Sequence, residues 1–300
     1  MFKKPLVSVV ILNFNGKGII SECVDAVINS SYRNIRIVLV DNASTDGSQS
    51  YIKKKYSKNK RVKILLSKTN LQFVGGFNLG VKHSTGELVF LVSSDVIVEP
   101  DCITELVKIA VKNKKYLVQP KIIRYGQKNI LDNVGGQYSI WGIGKGLGGG
   151  VKDTGQFDSD QVRDFAAATT LMMNRRFYLQ LKGYDEWFIS HYEDVDLCLR
   201  ARASGGKCWY SYKSRCYHKV SITYKKYVAS EILLFNIRKN RIRVVLKNFH
   251  GLEKLLRLLL LLPTNVITAV QDVQDQEPRR KLVTLRAVYA AVFKSNKPAL

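Results

Sequence analysis

Along the first 123 residues, apolar and polar positions alternate between two periods. Val7 to Phe14, Ile35 to Val40, Val62 to Leu66, Leu88 to Val92 and Leu117 to Ile123 are short β-branched or aliphatic runs, the pattern of strands buried on both faces. Between them, Ile19 to Ile28 places apolar residues at Ile20, Cys23, Val24, Val27 and Ile28, a helical stripe, and Pro100-Asp101 opens a second helix through Val111. Such β-α-β alternation predicts an α/β fold with a doubly wound, mostly parallel sheet flanked by helices, with ligands at the carboxyl ends of the strands. Polar residues gather at those ends: Asn13 and Asn15, Asp41 and Asn42, Ser93 to Asp95.

The pattern then loosens. Eight of the sixteen residues from Gly135 to Gly150 are glycine, which predicts a mobile loop with Trp141 as its one large side chain. Phe165 to Met173 reads as a buried strand, followed by a short helix ending at Gly183 and another starting near Glu193. From Tyr224 onward the pattern is helical. The resulting division is a core of residues 1–221, in which 1–123 carry the regular alternation and 124–221 the looser pattern, and a basic amphipathic helical tail of residues 222–300.

Charge sharpens this picture. In 300 residues, 48 Lys and Arg stand against 24 acidic residues, a net charge of +24, which points to a polyanionic partner. Residues 219–300 alone hold 16 basic and 5 acidic residues, together with the run Leu255 to Leu262. The uncharged stretch around that run, Leu258 to Gln271, has 14 residues and contains Pro263, short of the ~20 needed to span a bilayer. The tail is therefore expected to lie on an anionic membrane surface, Arg238, Lys239, Arg241, Arg243 and Lys247 meeting lipid headgroups, or else to pack its leucines on the core. No signal-peptide cleavage pattern is seen at the N-terminus, and five cysteines without CxxC spacing read as reduced thiols.

Several strings carry candidate chemistry. Asp41 ends a strand in VLVDNASTDGS, where a carboxylate either accepts from the imide N–H of uracil or thymine or closes the βα turn. Asp95, after an apolar strand, is either a ligand for Mg²⁺ or Mn²⁺ or a helix cap. Glu193, Asp194 and Asp196 stand at a helix N-terminus, whose dipole accommodates anions, and one of them could deprotonate a hydroxyl. His218 reads locally as a structural histidine. Gly75-Gly76-Phe77-Asn78-Leu79-Gly80 is GGxxxG, not a dinucleotide fingerprint, and no phosphate-binding P-loop is present. The basic residues have no RNA-recognition or helix-turn-helix context, so no nucleic-acid partner is expected.

Taken in order, VSVVILNFNG (7–16), VLVDNASTDGS (38–48), NLQFVGGFNLG (70–80), LVSSDVIVEPD (91–101), GYDEWFISHYEDVDLCLRARASG (183–205) and YHK (217–219) resemble the family 2 inverting glycosyltransferases of GT-A fold, most closely their rhamnosyltransferase-like branch. The resemblance covers roughly residues 5 to 220. It implies that Phe14 and Asp41 hold the nucleotide base and that Asn70, Gly76 and Asn78 lie along a nucleotide-sugar donor. It implies Asp194 as catalytic base with Glu193 orienting the acceptor, and Asp95 with His218 as ligands of a divalent cation, Mg²⁺ or Mn²⁺. The implied acceptor is a glycan or lipid-linked saccharide, and the implied location the cytoplasmic face of the cell membrane, held peripherally, in polysaccharide or envelope biosynthesis. One departure stands out: the family's metal motif carries two acids as DxD, where this chain has Ser93-Ser94-Asp95. A fold retained without chemistry, as a membrane-bound scaffold, is the alternative this departure raises.

Overall fold

A computed structural model describes residues 4–127, 129–220, 230–274 and 282–293. The five buried runs form β1 (Val7–Asn13), β2 (Ile35–Asp41), β3 (Val62–Leu66), β4 (Leu88–Ser93) and β6 (Tyr116–Arg124), each within a residue or two of its expected span. With β5 (Val96–Val98), β7 (Leu131–Asn133), β10 (Gln161–Arg163), β11 (Thr170–Asn174) and β12 (Lys207–His218), they make one sheet. Its order is β10-β12-β6-β11-β4-β1-β2-β3, β5 pairing with β12 and β7 with β6. The β3-β2-β1-β4 half and the β6–β12 pair are parallel, and β11 is inserted antiparallel between them.

The sheet is covered on both faces because β1 alternates its side chains between two cores. Val7, Val9 and Ile11 pack with α1 (Ile20–Ile28), α2 (Ser48–Tyr56) and α4 (Cys102–Ala110). Val10 and Leu12 face α3 (Gln72–Lys82), α5 (Arg175–Gln180) and α6 (Glu193–Ala203). Across β1 and β2 the parallel register sets Asn13 beside Asp41, so the polar ends of both strands open at one edge.

Three expectations change. The strand expected from Phe165 starts only at Thr170, because the preceding N–H groups are taken by side chains: Ala166 donates to Cys198 Sγ, Ala167 to Gln119 Oε1 at 2.6 Å and Ala168 to Asp194 Oδ2. The glycine-rich stretch is a hairpin of β8 (Gly136–Tyr138) and β9 (Gly144–Gly146) rather than a mobile loop. Its glycines serve close approach, since a Cβ on Gly136 would fall 2.0 Å from the Phe165 ring.

The third change concerns the tail, α7 (Ser230–Asn248), α8 (Gly251–Gln274) and α9 (Val283–Phe293). The five cations expected to meet lipid turn inward instead. Lys247 Nζ lies 2.7 Å from Asp185 and 2.9 Å from Asp196, Lys239 and Arg243 sit over the Trp187 ring, Arg238 pairs with Asp272, and Arg241 donates to Thr264 and Asn265. Of the leucines, expected in the alternative to pack on the core, Leu261 does so, buried with Ile242, Val245 and Ala291, while Leu255, Leu256, Leu259 and Leu262 face outward from α8. The chain also runs helically through Pro263, so α8 is long and apolar enough, by length and composition, to cross a membrane.

Candidate active site

The loops after β1 and β2 are stitched together before any ligand is considered. Asp41, fully buried, accepts from Asn13 Nδ2 at 2.8 Å and from the Ser44 N–H at 2.9 Å, so the turn-closing role is realised. A carboxylate has about four lone-pair sites, and these two bonds use two of them. Asn15 accepts from the Thr45 N–H at 2.8 Å, and Phe14 stands half-buried between these loops. Asn70 Oδ1 accepts from Asn42 Nδ2 and from the Gln72 N–H, tying β2 to the start of α3.

On α3 the glycines face the sheet. A Cβ at Gly76 would lie 2.4 Å from Leu12 Cδ1, and one at Gly80 2.2 Å from Val10 Cγ1. Asn78 clamps the 178–184 segment, accepting from Tyr178 Oη at 2.7 Å and the Tyr184 N–H at 3.0 Å while donating to the Tyr184 carbonyl. Gly76 and Asn78, placed along the donor by the resemblance, are thus both engaged in the scaffold.

Asp95 and His218 do come together. β5 pairs antiparallel with β12 so that Val96 faces His218, and the Lys219 N–H donates to the Asp95 carbonyl. His218 Nε2 is 3.3 Å from Asp95 Oδ2, and its Nδ1 is 2.7 Å from Asp132 Oδ2. Asp132 was not found by sequence reasoning; it arrives on β7, which pairs with β6 beside β12. Burial alone would lower the His218 pKa, but its hydrogen bonds to Asp132 and Asp95 outweigh that and raise it to about 9. The ring thus stands between two carboxylates.

This donor set fits a divalent cation. A metal-binding histidine usually gives its other ring N–H to a carboxylate, which is the relation of His218 Nδ1 to Asp132. No group of three His, Cys, Asp or Glu side chains able to hold a metal occurs among the described residues. Asp95 and His218 would therefore supply two ligands, with diphosphate oxygens completing the shell.

Glu193 and Asp194 open α6 after two non-glycine residues in left-handed conformation, His191 (φ 65°) and Tyr192 (φ 68°). Such residues cost of order 1–3 kcal/mol each and persist only where the surroundings hold them. Here α7 does so: Asn240 Nδ2 donates to the carbonyls of Ser190 and His191 at 2.8 and 2.7 Å. Asp194 is half-buried and takes the N–H of Val195 at 2.8 Å; burial raises its pKa to about 6. Glu193 is buried with Oε2 unpartnered, and burial together with the neighbouring Asp194 charge raises its carboxyl well above the usual range. Asp196 is structural, fully buried among Arg200, Lys247 and Asn248.

The two clusters meet through residues 168–169. The Ala168 N–H faces Asp194, while the Thr169 carbonyl accepts from the Ser93 N–H at 3.1 Å, two residues before Asp95. Asp194, its pKa raised to about 6, and the Asp95–His218 pair thus share one edge of the sheet.

Known proteins resemble this chain in sequence and in fold. An uncharacterised glycosyltransferase of Haemophilus influenzae is 28% identical over 141 residues, 47% of this chain and 44% of that protein, so the chain spans less than half of that relative. The amylovoran biosynthesis glycosyltransferase AmsB of Erwinia amylovora is 25% identical over 208 residues, covering 67% of this chain and 65% of its own. Among solved structures, GalNAc-T7 with UDP, GalNAc and Mn²⁺ matches with a TM-score of 0.68 at 19% identity, over 96% of this chain and 54% of that one. A mannosyltransferase of Pyrobaculum calidifontis in complex with GDP-Man and Mn²⁺ matches at 0.60 with 14% identity, over 96% of this chain and 81% of that one. These likenesses carry the GT-A arrangement of sheet and helices. The sequence profile described as Glycosyl transferase family 2 matches residues 8–180, more than half of the chain, and the protein belongs to that family of glycosyltransferases.

Proposed function

We propose that the protein is an inverting glycosyltransferase that moves a sugar from a UDP- or dTDP-sugar, rhamnose among the candidates, to a hydroxyl of a glycan or lipid-linked saccharide. The observation that carries this reading is the junction at Ala168–Thr169, which brings Asp194 and the Asp95–His218 pair to one strand edge.

In the reaction, Asp194 takes the proton of the acceptor hydroxyl. The freed oxygen attacks the anomeric carbon from the side opposite the diphosphate. The bond from that carbon to the diphosphate oxygen breaks, and the nucleoside diphosphate leaves with the electron pair. Asp95 and His218 would hold a divalent cation, which would supply positive charge beside the departing diphosphate. Asp132 holds the His218 ring so that Nε2 faces Asp95. The Asp41 carboxylate would accept from the imide N–H shared by uracil and thymine. The nucleotides and Mn²⁺ bound by the structural neighbours support a metal-assisted, nucleotide-sugar reaction here.

The test is incubation with a panel of nucleotide sugars and Mn²⁺, reading released UDP or dTDP, then the anomeric configuration of the product by NMR. Release that fails in Asp194→Asn, and a product of inverted configuration, support the reading. No release with any donor favours the silent scaffold, and retained configuration overturns the single displacement.

A further inference from the structure

We propose that α8, α9 and the tip of the β8–β9 hairpin form a face that inserts into the hydrocarbon edge of a lipid bilayer, with α8 lying in the membrane plane. The observation is an inverted helix. A surface helix of a water-soluble domain turns its apolar stripe to the core and its polar stripe to water. In α8, Leu255, Leu259, Leu262, Val266, Val270 and Val273 lie on one side and are each more than half exposed. The side that faces protein buries Leu261 and Asp272 and carries the polar groups bonded to the rest of the chain. Arg257 donates to the Ser139 and Ile140 carbonyls, Thr264 and Asn265 accept from Arg241, and Asp272 pairs with Arg238 and accepts from the Thr284 N–H at 2.7 Å.

The chemistry of the outward stripe selects its occupant. Protein–protein interfaces carry about one hydrogen bond per 100–200 Å². Those six side chains offer no donor or acceptor, and hydrocarbon is the partner that asks for none. The apolar face also widens beyond one helix. On α9, Leu285, Tyr289 and Phe293 are exposed, Phe293 by 71%. The hairpin tip, tethered to α8 through Arg257, exposes Ile140 and Trp141, the latter suited to a membrane–water boundary. At 24 residues and ~1.5 Å per residue, α8 is about 36 Å long. Its inward side is bonded along that length to α7 and the hairpin, so it lies along the bilayer and does not cross it.

This contact is hydrophobic, not electrostatic, because the cations of α7 are engaged inside the protein. It does not rest on the sugar-transfer reading. The experiment is flotation of the full chain with phosphatidylcholine vesicles at low salt and at about 0.5 M NaCl, where surface charge attraction is screened. Wild type is expected to float equally in both, and Leu259→Glu and Val266→Glu each to lower partitioning about tenfold, as expected for losing one buried aliphatic side chain. Trp141 emission should shift to the blue with these neutral vesicles, and the shift should vanish in Trp141→Phe. Release of nucleotide from a soluble donor should be unchanged in Leu259→Glu, which separates this proposal from the catalytic one. Flotation only with anionic vesicles and lost in salt would overturn it. So would absence of flotation with a dimer in light scattering that Leu259→Glu dissociates, since a second copy would then cover the face.

Discussion

His218 and Asp95, 123 residues apart in sequence, approach to 3.3 Å because the antiparallel β5–β12 register sets His218 opposite Val96. A single acid in Ser93-Ser94-Asp95 is thereby joined by an imidazole, and the imidazole by Asp132 on its far side. In the proposed metal site the imidazole would stand in for the second acid that a DxD motif supplies.

The first expectation follows from that chain of contacts. Asp95→Ala should weaken nucleotide-sugar binding, as should EDTA with the wild type. Asp132→Asn should lower Mn²⁺ affinity by about 10- to 100-fold, the usual cost of losing a carboxylate behind a metal-bound histidine. Titration of Mn²⁺ in the presence of UDP measures this directly. Unchanged affinity in Asp132→Asn would remove His218 from the metal shell.

The base carries its own signature. Asp194, raised to about 6 by burial, must be ionised to accept a proton. Turnover is therefore expected to climb with pH through about 6 and level off above it; a raised acid limits the rate on its low-pH side. Asp194→Asn should cost about 10²- to 10⁴-fold in turnover with donor affinity retained. Glu193, its carboxyl raised well above the usual range by burial and by the Asp194 charge, should tolerate Glu193→Gln without moving that limb. A limb that shifts downward in Glu193→Gln would show that Glu193 is charged beside Asp194.

How much of this was legible in the sequence depends on the range of the contact that decides each feature. The strands were readable because β1, buried at all seven positions, needs an unbroken apolar run, and Asp41, Asp95 and Asp194 because they sit at element ends. Asp132 was not, since its meaning comes from β7 pairing with β6 and from a histidine 86 residues away. Nor was the sense of the tail. Helical spacing shows that α8 has two faces, but which face meets protein is set by Asp185, Asp196 and Trp187, whose partners on α7 lie 50 or more residues further along. The glycine-rich stretch looked mobile because composition does not reveal that Phe165 fills the space above Gly136.

The α3 glycines give a packing test. Gly80→Ala would drive a methyl into Val10, a β-branched side chain with little rotamer freedom in a strand, at a cost of about 1–3 kcal/mol. Gly76→Ala meets the more adaptable Leu12 and should cost less. Thermal melting reads both, and donor affinity should remain that of the wild type below the melt. A Gly76→Ala protein of full stability that binds donor poorly would return Gly76 to the donor loop.

Asn240 links the helical tail to the chemistry. Its amide is the clasp on the Ser190 and His191 carbonyls, and the two left-handed residues that follow set the direction in which Glu193 and Asp194 enter α6. Removing a buried donor leaves its acceptors unpaired, at about 1–3 kcal/mol. Asn240→Ala is therefore expected to lower stability by that order. It should also reduce turnover with the donor Kd unchanged, because the bonds lost go to the Ser190 and His191 carbonyls and not to the loops at Asp41 and Asn70. Asn240→Asp, of the same size but without the N–H₂ donor, should behave like Asn240→Ala. If it keeps full turnover, the turn holds itself and α7 is only a cover. If both variants lose donor binding as well, the damage has spread through the fold, and Asn240 positions more than the base.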